Sequence, residues 1–208
     1  MLNQNNSKTV FTFGVQYKSG VGLKNQRHAL YHGPSESTGE APFVLRHLDT
    51  AIGLYEVTKK QYEQRFQELS TQYRLARLLQ DIKGIGVIGS LTILAIVVDA
   101  QRFPRSSHYL VYCGLVHFRK QSGGRDYGKR KARYHHMLKR IYKLAAMSAI
   151  SSPNNPLREY YDLLRAQGVA DHSARHALAR YIARITYGIL KTGTPYKPYS
   201  LTLKNNAA

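Results

Sequence analysis

The stretch from Asp81 to Ala100, DIKGIGVIGSLTILAIVVDA, decides how the rest of the chain is read. Two closely spaced glycines, Gly84 and Gly86, precede a nearly continuous apolar run of 12 residues, Val87 to Val98. That run falls well short of the roughly 20 residues needed to cross a bilayer, so it reads as an apolar helix of a protein interior. The glycines then lie at a turn between this helix and the one before it. Glycine permits a tight turn and leaves backbone N–H groups exposed at the start of the second helix, where the helix dipole favours a phosphate. This is the chemistry of a helix-hairpin-helix element, and it makes Gly84 and Gly86 candidate phosphate contacts. A glycine turn that merely joins two packed helices gives the same pattern.

Upstream, Leu45, Leu48, Ile52, Tyr55, Tyr62, Phe66, Leu69, Tyr73 and Leu78 recur mostly at three-, four- or seven-residue intervals among charged residues and Gln. The spacing predicts a long amphipathic helix or helical hairpin over Phe43 to Gln80, suited to core packing and to oligomerisation alike. Residues 1–42 are rich in Gly, Ser, Asn and Pro, apart from a short basic piece, GLKNQRHALYHG. They are expected to be a poorly ordered basic segment with one helical turn or two. Downstream, SSHYLVYCGLVHF predicts a short helix from Ser107 to Cys113 that Gly114 ends. Further helices are expected over Met137 to Ile150, Leu157 to Gln167 and Ser173 to Lys191, the first two separated by SSPNNP. In the last of them Leu178, Tyr181, Ile182, Ile185 and Ile189 form an apolar stripe, with His176, Arg180, Arg184 and Lys191 opposite. The expected fold class is mainly α: a helical linker over 43–80, then a compact helical domain over 81–196 with a helix-hairpin-helix-like element. A disordered tail follows over 197–208.

Charge points to the partner. Thirty-one Lys and Arg against 12 Asp and Glu leave a formal net charge of +19 and a pI near 10.1, which implies a polyanion. The most basic stretch is RKQSGGRDYGKRKARYHH, where Arg119, Lys120, Arg125, Lys129, Arg130, Lys131 and Arg133 are interrupted by one acid, Asp126. It reads as a glycine-containing loop that fits a nucleic-acid backbone, with Tyr127, Tyr134 and two His as rings for stacking on bases. Arg180 and Arg184 join these seven cations as candidate DNA contacts, although a cationic stripe is also what the wet face of any helix presents. A single cysteine, Cys113, excludes an internal disulfide, and its apolar neighbours suit a buried small residue rather than a nucleophile. No His/Cys spacing fits a zinc finger, and no carboxylate cluster is visible along the chain. The polar N-terminus lacks the apolar stretch of a secretory signal, which leaves the cytoplasm as the expected location, with no membrane partner.

Taken in order, four segments resemble the C-terminal domain of the IS110/IS116/IS902 insertion-sequence transposases, a family that includes the Piv-type DNA invertases. They are DIKGIGVIGSLTILAIVVDAQRFPRSSHYLVYCGL, the SGGR loop, LKRIYKLAAMSAI, and NPLREYYDLLRAQGVADHSARHALARYIARITYGILKTGTPY. The order and spacing carry the resemblance, since each piece alone is common. Members of the family carry an N-terminal RuvC-like domain with four acidic metal ligands, which has no counterpart in these residues. LKNQRHALYHG is similar to the basic helix that leads out of that domain. One departure is local: a Gly-Asn or Gly-Asp step before the LKR helix is replaced by Ala132-Arg133-Tyr134.

The resemblance implies a serine nucleophile in the small Gly-containing loop, and Ser122 falls there. Its hydroxyl would attack a DNA phosphate and hold the strand as a phosphoserine ester, with Arg119, Lys120 and Arg125 offsetting charge on the phosphate oxygens. A serine hydroxyl needs activation, which the family implies comes from magnesium on the acidic domain. No metal or other cofactor is expected to bind this chain alone. The implied partners are DNA, with room for a guide RNA, and either a second copy or a chain that supplies the acidic domain. DNA binding without cleavage is therefore expected. Three readings stay open: a serine-bearing part of a transposase, a DNA-binding regulator derived from one, and a general RNA-binding protein supported by charge alone.

Overall fold

A helix that is apolar on every side has no wet face and must be enclosed by other elements. Helix α4 (Val87–Val97) is such a helix, with every residue from Ser90 to Val97 buried, and the molecule is assembled around it. The computed structural model describes residues 21–29, 41–116, 118–122, 125–130 and 133–197, with backbone only at Ala41 and in the segments 118–122 and 125–130. Around α4 run α1 (residues 21–29), α2 (Ala41–Gln72), α3 (Arg74–Gln80), α5 (Ser106–Tyr112), α6 (His136–Ser151), α7 (Pro156–Ala166) and α8 (Asp171–Thr192). A two-stranded antiparallel hairpin, β1 (Phe118–Ser122) and β2 (Arg125–Arg130), stands between α5 and α6. The fold is mainly α, as the hydrophobic spacing predicts, and no described helix is long and apolar enough to cross a membrane.

The periodic segment Phe43 to Gln80 forms two helices rather than one, with the break at Tyr73, whose backbone is extended (φ −101°, ψ 105°). Helix α2 runs for 32 residues, yet only Phe66, Leu69 and Ser70 near its end are buried. Its earlier turns leave Phe43, Val44, Leu54 and Val57 exposed. The basic piece predicted to hold a turn or two is α1, joined to α2 by the ion pairs Lys24–Glu56 and Arg27–Asp49. The remainder of the expected poorly ordered segment, residues 1–20 and 30–40, lies outside the described residues, as does the tail from 198.

The turn at 81–86 joins α3 to α4 as expected. Helix α4 ends at Val98, a β-branched residue at φ 58°, ψ −64°, where the Asp99 N–H bonds back to the Val97 carbonyl at 2.6 Å. This is a γ-turn, a strained conformation costing on the order of 1–3 kcal/mol. Asp99 then caps a single 3-10 turn, Ala100–Arg102, by accepting from the Gln101 N–H at 2.8 Å. Helix α7 begins with Asn155 as its cap, whose side chain accepts from the Arg158 N–H at 3.0 Å, and Pro156 follows in the first turn. The predicted stops at Gly114 and Gly168 both hold, with φ of 67° and 79°.

Helix α6 packs along α8 and forms the second half of the core. Sequence spacing puts Leu138, Ile141 and Ala145 on its inner side. Leu138 and Ala145 are fully buried, Ile141 is half-buried, and the largest residue enclosed there is Tyr142. The Tyr142 hydroxyl meets that of Tyr109 from α5 at 2.5 Å, with neither residue exposed. Burial pushes both phenols above the usual tyrosine range; the pairing adds to this at Tyr109 and opposes it at Tyr142. Cys113 lies beside them, its thiol pushed up to about 12 by burial, in keeping with a core residue rather than a nucleophile.

The basic stretch expected as a loop is the main structural correction. Its backbone pairs as a hairpin, with Phe118 opposite Arg130, Arg119 opposite Lys129, Gln121 opposite Asp126, and Ser122 opposite Arg125, and a bulge between Arg119 and Gln121. Two glycines between short runs are a recognised hairpin signal. Charged residues that strands disfavour mask it here.

Candidate nucleic-acid interface

The hairpin is held at its root. Gly114, at φ 67°, lies so close to Tyr134 that a Cβ there would meet the ring at 2.3 Å. The next residue, His135, donates its N–H to the Tyr112 carbonyl at 2.9 Å. The two ends of the hairpin segment therefore converge at the C-terminal end of α5. Tyr134, expected as a free stacking ring, is half-buried and acts as this clamp, with His136 at 4.6 Å and the Lys139 ammonium 4.6 Å from its ring centre.

Cations collect around the same root. Lys139 and Lys143 of α6, and Arg180 of α8, all act electrostatically on His176, which also faces the backbone of Leu115, three residues before β1. Arg133 is exposed at the end of the hairpin segment, Arg140 is exposed on α6, and Arg184 is exposed one turn beyond Arg180. The ion pairs of the described residues involve Lys24, Arg27, Lys59, Arg65, Arg158 and Arg175. Among the described residues, none of Lys139, Arg140, Lys143, Arg180 and Arg184 forms one. By contrast Lys191, also on the predicted cationic stripe, is engaged internally with Gln101 at 3.0 Å.

Of the candidates from sequence, Arg119, Lys120, Ser122, Arg125, Lys129 and Arg130 are brought together by the hairpin backbone, and Ser122 and Arg125 form the ladder pair next to the Gly123-Gly124 step. Their side chains, and Lys131, lie outside the described residues. The register sets Arg119 directly opposite Lys129, and like charges at opposed positions disfavour strand pairing in water. An anion near the strands would lift that penalty.

The two glycines of the α3–α4 turn separate in role. Gly86 is exposed at the start of α4 with open space where a side chain would stand, as a phosphate contact requires. Gly84, at φ 94°, is pressed against α6: a Cβ on it would sit 2.4 Å from the Ala145 carbonyl oxygen. Its φ and this close packing both favour glycine there.

Two histidines give the interface a pH signature. Burial, followed by the neighbouring His136, holds His135 below the ordinary histidine value of 6.5. Burial, then Arg180 and Lys143, does the same to His176. The unfolded chain thus binds these protons more tightly than the folded one, so their contribution to stability is present above pH 6.5 and lost as pH falls below it. Glu56, lowered by Lys24, and Asp171, lowered by Tyr161 and Arg175, titrate at lower pH and add nothing in that window. The melting temperature of the free protein is expected to drop between pH 7.5 and pH 5.5; a flat or rising profile would contradict this assignment.

The described geometry defines a basic, mainly helical domain with a clamped hairpin and a long ion-paired helix leading into it. Residues 76–162 match the model of the transposase IS116/IS110/IS902 family. The chain is 28% identical over 161 residues to an uncharacterized 43.6 kDa protein of insertion element IS110 from Streptomyces coelicolor, covering 77% of this chain and 40% of that protein. It is 25% identical over 124 residues to an uncharacterized 44.8 kDa protein of insertion element IS116 from Streptomyces clavuligerus, covering 59% of this chain and 31% of that protein. These matches place the similarity to this transposase family at residues 76–162 and their surroundings, and the chain spans well under half the length of either relative.

Proposed function

We propose that this chain is a DNA-binding, serine-bearing part of an insertion-sequence transposase, acting in the cytoplasm. The observation that carries the reading is the set of cations, without ion pairs among the described residues, around the root of the hairpin whose backbone holds Ser122. Arg119, Lys120 and Arg125 are proposed to hold a scissile phosphate while the Ser122 oxygen attacks it, its O–P bond forming as one P–O bond to deoxyribose breaks and that strand end leaves as a free hydroxyl; Lys129, Arg130, Lys131, Arg133, Arg180 and Arg184 extend the contact along the backbone. Gly86, at the exposed start of α4, is proposed to donate its N–H to a further phosphate, the helix-hairpin-helix reading of the turn.

Attack on a phosphodiester needs the serine deprotonated, and the family resemblance assigns that to magnesium. The described residues do not fit such a site. Six of the carboxylates, Asp49, Glu56, Glu63, Glu68, Asp162 and Asp171, are committed to ion pairs with Arg or Lys. No group of three metal-binding side chains occurs among the described residues. We place the activating carboxylates on polypeptide outside these residues, in a partner chain or a further domain, and the interface as completed by that partner or by a second copy. A guide RNA is a further candidate partner for the same basic face.

The test uses the full chain and duplex DNA carrying an element end. Affinity is expected to fall about 1000-fold or more between 50 and 200 mM salt, as for a protein that neutralises on the order of six phosphates. With an acidic domain of the family and magnesium added, a covalent protein–DNA adduct is expected, lost in Ser122→Ala with binding retained. Binding indifferent to salt would rule out the polyanion surface, and an adduct that persists in Ser122→Ala would rule out the serine. Binding with no adduct under any condition would leave the chain as a regulator occupying element ends.

A further inference from the structure

Between α6 and the first turns of α8 lies a cleft of about 460 Å³ lined by Lys143, Met147, His172, Ser173, Arg175 and His176. Its charge is not balanced from within. Arg175 is neutralised by Asp171, which also accepts from the Tyr161 hydroxyl at 2.6 Å. Lys143 forms no ion pair among the described residues, and Lys139 and Arg180 add positive charge beside His176. We propose that this cleft is a subsite for an internucleotide phosphate of bound DNA, held by Lys143 and His176, with His172 and Arg175 at its edges. The proposal rests on the polyanion-binding reading of this face and assigns it a specific seat away from the hairpin strands.

The argument is electrostatic and geometric. His176 is half-buried in a cleft wall, faced by Lys139 and Lys143 from α6, by Arg180 on its own helix, and by the uncharged Leu115 backbone from the segment leading to the hairpin. Burial and those three cations disfavour a further positive charge on the ring in the free protein. A phosphate in the cleft reverses the sign of the local field, allows the imidazolium, and gains a charge-assisted hydrogen bond. Because His176 also faces the Leu115 backbone, the seat lies beside the hairpin root. An ordinary wet helix face would expose the ring to water and offer no cleft for an anion.

The test is an NMR titration of His176 in the full chain, its ring signal identified by loss in His176→Asn, with and without a duplex of random sequence. In the free protein the ring is expected to titrate below 6.5. With saturating duplex its midpoint is expected to rise to 6.5 or above, while Lys143→Gln reduces duplex affinity several-fold at fixed salt and leaves the free-protein melting temperature unchanged. A duplex that binds with steep salt dependence yet leaves the His176 midpoint unmoved overturns the subsite and keeps the polyanion reading. Failure of the duplex to bind at all overturns both.

Discussion

Gly84→Ala is expected to destabilise the domain by about 2–4 kcal/mol, more than any single surface change. Two costs add. At φ 94° an alanine is strained on its own account, and its methyl would press on the Ala145 carbonyl oxygen at 2.4 Å and on the Ala145 Cα at 2.9 Å. Those atoms belong to the backbone of α6, so relief requires α6 to move away from the α3–α4 turn. Gly86→Ala meets open space and adopts an ordinary φ of −87°, so it is expected to cost less than about 1 kcal/mol. Denaturant unfolding of the two variants measures the difference. Equal effects would mean that the close approach of the turn to α6 is not a feature of the folded chain. The pair also separates fold from recognition, since any loss of DNA affinity in folded Gly86→Ala belongs to the start of α4 rather than to the core.

The second large effect is expected at the tyrosine pair. Tyr142→Ala should cost about 3–5 kcal/mol, because it removes a fully enclosed ring and leaves a cavity between α5, α6 and α8. Tyr142→Phe keeps the ring and removes the hydroxyl bonded to Tyr109, at an expected cost of about 1–2 kcal/mol for stranding a buried polar group. Replacing both tyrosines with phenylalanine is expected to cost less than the two single changes added together, since neither hydroxyl is then left without its partner. The cycle is read by chemical denaturation. Strict additivity would show that the two hydroxyls do not depend on each other.

Much of this arrangement is legible in the order of the residues alone. The apolar run at Val87–Val98 reads as an interior helix, which forms over Val87–Val97, and Gly114, Gly168 and SSPNNP mark boundaries because their backbone chemistry is local. The hairpin is hidden for a physical reason: FRKQS and RDYGKR have the composition of a solvated loop, and their pairing is supported by a root clamped by residues distant in sequence. Tyr134 on Gly114 and His135 on Tyr112 are contacts between residues about twenty positions apart, and no periodicity reports them. Tyr142 does not stand out as a core residue because tyrosine is commonly half-exposed, and its burial depends on Tyr109 supplying a partner for the hydroxyl. The cations of α6 are visible as a polar side, but that they face His176 on α8 follows only from helix packing.

Helix α2 has one more consequence. Its 32 residues span about 48 Å, and its buried residues all lie in the last two turns before the break at Tyr73. Phe66 and Leu69 pin the base of this rod in the core, so a bend of only about ten degrees just ahead of them would carry its far end through roughly 6 Å. Anything joined to that end would stand well away from the core residues Phe66 and Leu69 that anchor the helix.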